Sequence, residues 1–117
     1  MSPDQKIERI QRALDRDGTH DWVHIRELLK AGKCQIFDSE HGSWITEVIS
    51  TPKARLLNCW VVAGELPGVM DLQAEVERYA AQENCARMTA TGRRGWKNIA
   101  RDYGWNEAGT LISRKVN

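Results

Sequence analysis

The chain has only three cysteines, Cys34, Cys59 and Cys85, an odd number at wide spacing with no Cys-x-x-Cys pair. That argues against a disulfide framework and against a structural zinc site, so no metal is expected. All three fall in or beside strand-like runs, where a reduced thiol behaves as a small hydrophobe. No apolar run approaches membrane-spanning length, and the N-terminus lacks a signal-peptide pattern. The expectation is a cytoplasmic chain, neither secreted nor transmembrane. Neither sign of charge dominates: 17 basic residues face 16 acidic ones, a net charge of +1. There is then no general electrostatic case for binding nucleic acid or an anionic membrane. Internal repeats, low-complexity stretches and linkers are also lacking.

What is present suits one domain. The chain has 117 residues, of which 41% are apolar, and it carries five tryptophans. Two helices are predicted within 3–31. Ser2-Pro3-Asp4-Gln5 is a helix start: Ser2 caps, Pro3 takes the first helical position and Gln5 completes a capping box. Ile7, Ile10, Ala13 and Leu14 form its apolar stripe, with Lys6, Glu8, Arg9 and Arg12 assigned to the solvent face. Asp17-Gly18 ends this helix. Thr19 or Asp21 caps the second, which Trp22, Val23, Ile25, Leu28 and Leu29 line and Gly32 closes. Two helices joined by a tight turn raise a DNA-binding regulator as a third functional reading. The second helix has His24, Arg26 and Lys30 set against Asp21 and Glu27, a poor reading surface.

From 33 to 117 the pattern is a meander followed by β-α-β-α-β. Lys33–Phe37 and Ser43–Ser50 read as a hairpin around Asp38-Ser39-Glu40-His41-Gly42. A third strand runs through Leu56–Ala63. Its consecutive Trp60, Val61 and Val62 imply burial on both faces of the sheet. Then come a helix over Leu72–Asn84, a strand over Cys85–Thr91, a helix opening at Gly92-Arg93-Arg94-Gly95-Trp96, and a closing strand over Gly109–Val116. A β-α-β unit makes the third and fourth strands parallel neighbours. The expected architecture is α/β, order α-α-β-β-β-α-β-α-β, a mixed sheet with helices on both faces. Trp60 and Trp96 are expected in the core. Trp44 and Trp105, near turns, are expected to be partly exposed.

This order resembles the GCN5-related N-acetyltransferase (GNAT) fold, in which two helices precede a meander whose third strand leads through a cofactor loop into a helix. Ala100-Arg101-Asp102-Tyr103-Gly104-Trp105 resembles that family's helix ending in a Gly-aromatic pair. Gly92-Arg93-Arg94-Gly95-Trp96 and the Asn84-Cys85 strand entry are similar to phrases in small GNAT-like proteins of tailed phages and prophages. The resemblance implies a place in the host cytoplasm or in a phage particle.

Two departures bear on activity. The resemblance implies an acetyl-CoA pyrophosphate loop of pattern Arg/Gln-x-x-Gly-x-Gly/Ala, whose glycines admit the backbone and whose helix N-terminus offers N–H groups. Here the corresponding segment is Glu65-Leu66-Pro67-Gly68-Val69-Met70-Asp71. It has one glycine and no Arg or Gln, Pro67 has no N–H, and Glu65 and Asp71 repel an anion; Gly68, with Gly64 just before the segment, marks the candidate cofactor loop. The family's general-acid Tyr aligns with Ala100, and Tyr103 lies roughly 300° further round the helix. Glu47, mid-strand, and Tyr103 are weak catalytic candidates. Arg93 and Arg94, at a helix start where the dipole disfavours cations, are candidates for binding an anion or an acidic partner. The leading reading is a catalytically degenerate GNAT-like phage or prophage protein that binds a protein partner or itself, as a virion, assembly or host-interaction component. No cofactor is expected on that reading. The alternative is a small N-acetyltransferase that takes acetyl-CoA through a non-standard loop.

Overall fold

The structure, a computed structural model, describes residues 2–65, 68–91, 96–109 and 111–116. Helix α1 (Pro3–Asp17) begins as its sequence dictates. The Gln5 N–H donates to Ser2 Oγ at 3.2 Å and the Ser2 N–H to Gln5 Oε1 at 2.8 Å. Gly18 closes it in the left-handed region at φ 70°, its N–H donating to the Leu14 carbonyl. Helix α2 (Trp22–Lys30) follows Asp21, whose N–H donates to His24 Nδ1 at 2.9 Å. Gln11 of α1 holds the junction: its Oε1 accepts from the Trp22 N–H, and its Nε2 donates to Asp15 and Asp21.

Four strands follow: β1 (Gln35–Asp38), β2 (Gly42–Ser50), β3 (Arg55–Gly64) and β4 (Arg87–Ala90). They form one sheet in the order β1-β2-β3-β4, with antiparallel β1–β2 and β2–β3 pairs and a parallel β3–β4 pair. Between β3 and β4 lie a 3-10 helix (Gly68–Leu72) and α3 (Gln73–Gln82). Asn84 ends α3 at φ 58°, with the Cys85 N–H donating back to the Ala80 carbonyl. Asn is one of the few side chains that tolerates this backbone. Helix α4 (Trp96–Arg101) follows β4. The closing strand expected over Gly109–Val116 is not there: among the described residues, 109 and 111–116 hold neither strand nor helix.

Two cores lie on opposite faces of the sheet. One joins Trp44, Leu57 and Cys59 to Val69, Leu72, Val76 and Ala80 of the 3-10 helix and α3. The other joins Ile45, Val61 and Ala63 to Ile10, Leu14 and Ile25 of α1 and α2. One irregularity explains how β3 serves both. Ile45 pairs with Val61 but Thr46 pairs with Cys59, so Trp60 is an extra residue in β3. A bulge of one residue reverses the alternation beyond it. Leu57 and Cys59 therefore face α3, while Trp60, Val61 and Ala63 face α1 and α2.

Arg9 is not on the solvent face expected for it: only 6% of it is exposed. Its guanidinium enters the β1–β2 turn. Nη2 donates to Ser43 Oγ at 2.7 Å, to Asp38 Oδ1 at 3.3 Å and to the Ser39 carbonyl at 3.2 Å, and Nη1 donates to the Glu40 carbonyl at 3.1 Å. Ser43 Oγ in turn donates to Asp38 Oδ1 at 2.6 Å, and Lys6 pairs with the other carboxylate oxygen at 3.1 Å. A heptad-like stripe does not anticipate this, because the partners come from a distant turn. Removing Arg9 strips the Ser39 and Glu40 carbonyls and the Ser43 hydroxyl of a charged donor, while Asp38 keeps Lys6. Arg9→Ala is expected to lower the free energy of unfolding by about 3 kcal/mol in urea titrations. Arg9→Lys should recover less than half, because an ammonium does not fork to several acceptors at once.

Candidate functional site

The sheet parts in the middle. The β3–β4 pairing runs from Leu56–Arg87 to Cys59–Ala90 and stops there. The next residue of β3 is the bulged Trp60, and among the described residues 60–64 have no strand partner on that side. Bulge and splay together leave an open backbone edge at the centre of the sheet, the kind of place where a ligand's own amides can pair.

A polar row leads to this splay. Asn58 Nδ2 donates to Glu47 Oε1 at 3.0 Å, and Thr89 Oγ1 donates to Asn58 Oδ1 at 3.2 Å. The row crosses β2, β3 and β4, and Asn58–Thr89 is the last pair but one before the strands part. Glu47 shares the α1–α2 face with Ile45. It is half-buried and is held by Asn58. Asn58 and Thr89 were missed as site residues. The available signal was an amide inside the apolar run Leu56–Ala63.

Tyr103 lies elsewhere. Its carbonyl accepts from Gln73 Nε2 at 2.8 Å, and Gln73 Oε1 accepts from Trp105 Nε1 at 2.8 Å. Gln73 opens α3, and Trp105 packs with Trp44 on the α3 side, ring centroids 6.4 Å apart. The end of α4 is thus clamped to the start of α3, on the face opposite Glu47. The structure does not bring these two candidates together as an acid–base pair. Arg93 and Arg94 lie outside the described residues.

The loop is the most informative part. Gly64 has φ 133°, a backbone that side chains rarely adopt, and a Cβ there would run into the His41 carbonyl and the Cα of Gly42. A Cβ on Gly68 would meet the Cβ of His41. Both glycines therefore accommodate the β1–β2 turn packed against them. Val69 seals the contact: it packs on Gly42 and its carbonyl accepts from Trp44 Nε1 at 2.7 Å. Trp44 is 1% exposed, the reverse of the partial exposure expected for it, because Val69 satisfies its one polar atom. Trp60, expected in the core, is only half-buried, its ring edge-on to His20 at 4.6 Å. The side chain of Trp96 is outside the described residues. A pyrophosphate cradle needs glycines that face open space beside a helix N-terminus. Here the β1–β2 turn stands where a Cβ on either glycine would, so among the described residues Gly64 and Gly68 serve that contact.

Burial holds two of the three thiols protonated. Cys34 and Cys59 are buried and Cys85 is half-buried, and all three are free. Burial pushes Cys59 up to about 12 from an ordinary 9.0. Burial first, and then the Glu47 carboxylate, push Cys34 up as well. Among the described residues no group of three or more metal-ligating side chains is poised to hold an ion, and no helix is long and apolar enough to cross a membrane.

No family model matches the chain, and no curated protein matches it in sequence. Solved structures match it in fold. A probable acetyltransferase superposes with a TM-score of 0.73 at 9% identity, over 97% of this chain and 90% of the other. An aminoglycoside acetyltransferase from an uncultured soil metagenomic sample, in complex with sisomicin, gives 0.69 at 13% identity over 97% and 88%. An acetyltransferase of Trypanosoma brucei gives 0.69 at 7% identity over 98% and 96%. The fold is GNAT-like, α/β, a mixed four-stranded sheet with helices.

Two outcomes follow from the thiols. In the native protein a disulfide-exchange reagent should label Cys85 first and leave Cys34 and Cys59 protected; equal rates at all three would contradict the burial. The folded Cys59 keeps its proton past the pH at which the unfolded thiol releases it. Its contribution to stability is therefore complete below about pH 9 and lost as pH rises toward about 12. Urea titrations across that range should show the decline, and Cys59→Ala should make it shallower.

Proposed function

We propose that this chain uses a GNAT-like fold for binding a protein partner and does not turn over acetyl-CoA. The observation that carries this is the occupied loop: His41 and Gly42 fill the space that Gly64 and Gly68 open, and Glu65 and Asp71 place negative charge beside it. The separation of Glu47 from Tyr103 across the sheet supports the same reading. The Gly92–Trp96 phrase, similar to those of phage-encoded GNAT-like proteins, makes a virion, assembly or host-interaction component the narrower form of it.

A second reading, a small N-acetyltransferase, is favoured by one specific feature and by the company the fold keeps. The open β3 edge beside the splay offers backbone groups to an extended ligand, and the Glu47–Asn58–Thr89 row ends next to it. Several solved neighbours are acetyltransferases by name. On that reading Glu47 is the residue on this chain placed to take a proton from an acceptor, with Asn58 fixing its carboxylate.

Calorimetric titration with acetyl-CoA separates the two. The binding reading expects a Kd weaker than about 1 mM, which is less than about 4 kcal/mol of binding free energy. Micromolar binding, weakened by Arg93→Ala or Arg94→Ala, would overturn it. The next measurement would then be acceptor turnover in Glu47→Gln, expected to fall about 100-fold if Glu47 is the base.

A further inference from the structure

Helices α1 and α2 cover only part of their face of the sheet. Ile45, Val61 and Ala63, toward the β1–β2 turn, are buried beneath them. Further from that turn the strand registers set two rows of residues on the same face. Glu47, Asn58 and Thr89 form one row, and Ile49, Leu56 and Arg87 the next. Ile49 is 37% exposed, and neither it nor Leu56 packs into either core. Arg87 is exposed, while the polar row is half-buried and tied across three strands by the Asn58–Glu47 and Thr89–Asn58 hydrogen bonds. Two charges of opposite sign stand at diagonal corners of this patch. Lys6, Arg9, Lys30 and Arg55 each pair with a carboxylate, but among the described residues no cation pairs with Glu47 and no acid with Arg87. Two strand spacings across and two residues along put their Cα atoms about 12 Å apart. The line between them crosses β3 between Asn58 and Leu56, with Ile49 on its flank.

We propose that this half-face is a docking platform for an extended segment of a protein partner. The segment sets a basic side chain against Glu47, an acidic one against Arg87 and apolar ones over Leu56 and Ile49. The platform rests on the binding reading and gives that reading a place and a partner chemistry. The mixed charge decides the occupant. Nucleic acid or an anionic membrane is drawn to Arg87 and repelled by Glu47, and two aliphatic side chains offer a bilayer little area to hold. A drug-sized ligand needs a cleft around it, which the surface of a paired sheet does not supply. An extended peptide carries both charges and the apolar groups between them: residues three apart are separated by about 10 Å, and the Arg87 side chain reaches across the difference. Opposite charges at the two ends also fix the direction in which the segment lies.

The test is heteronuclear NMR on the unaltered chain, titrated with the peptide acetyl-Lys-Leu-Leu-Asp-amide. Two further peptides replace its lysine by glutamine or its aspartate by asparagine. The signals of Ile49, Leu56, Asn58 and Thr89 should move with a Kd of about 1 mM. Each charge removed from the peptide should weaken binding about threefold. In Glu47→Gln, which keeps an acceptor for Asn58, the lysine and glutamine peptides should bind alike. In Arg87→Gln the aspartate and asparagine peptides should do so. Absence of shifts at about 10 mM peptide overturns the proposal, as do shifts centred away from these residues or equal affinity for the three peptides. So does an oligothymidylate that moves the same signals as strongly, or movement of those signals with protein concentration alone, which would make a second copy the occupant. The three peptides on the unaltered chain decide the matter should a variant not fold. Acetyl-CoA titration judges the binding reading separately: micromolar affinity there would remove that reading and leave the peptide shifts to be read for themselves.

Discussion

A single guanidinium holds the β1–β2 turn in place, and much of the rest leans on that turn. Arg9 satisfies two carbonyls, a carboxylate and a hydroxyl there, and only its Nε is without a partner. With four polar groups met, the charge is tolerated beneath α1 at a site that would otherwise expel it. The fixed turn presents His41 and Gly42 to the loop after β3. The loop's glycines close over them, and Val69 is thereby placed to receive the indole of Trp44. Helix α1, the hairpin and the segment entering α3 are thus joined by one chain of contacts, polar at Arg9 and at Trp44 and steric between the turn and the loop, although they belong to opposite faces of the sheet.

The bulge at Trp60 is the second organising feature. It lets one strand feed both cores, and it coincides with the point at which β3 and β4 separate. In an uninterrupted β3, Leu57, Cys59, Val61 and Ala63 would all point the same way and one helical layer would lose its floor. Packing and the open edge therefore come from the same extra residue. A fold can keep this arrangement for packing alone, which is why a GNAT-like frame carries no activity by itself.

Sequence reasoning recovered what depends on local chemistry. The capping box at Ser2 and Gln5, the glycine stop at Gly18 and the meander follow from residues close together in the chain, and the parallel β3–β4 pair from the β-α-β order. It failed where a distant element decides. Arg9 looked solvated because its acceptors lie some thirty residues on. Trp44 looked exposed because Val69, which satisfies it, lies beyond the next strand. Gly109–Val116 has a strand's composition, yet a strand forms only where an edge receives it. At the loop the glycine pattern departs from the family's phosphate loop, and the structure gives both glycines a different neighbour. That a histidine-bearing turn fills the space was not legible, because nothing in the spacing of Gly64 and Gly68 says what faces them.

Strand order in space repeats strand order in the chain, and this bears on how the protein is made. β1, β2 and β3 are joined by the tight turns at Ser39–Gly42 and Thr51–Ala54, each closed by a backbone hydrogen bond. The sheet can therefore lengthen as the polypeptide leaves the ribosome, each strand docking on the one completed just before it. Only β4 must wait, since α3 intervenes and its parallel register requires a long loop to close first. The outer edge of β4 is then the last part of the sheet to exist.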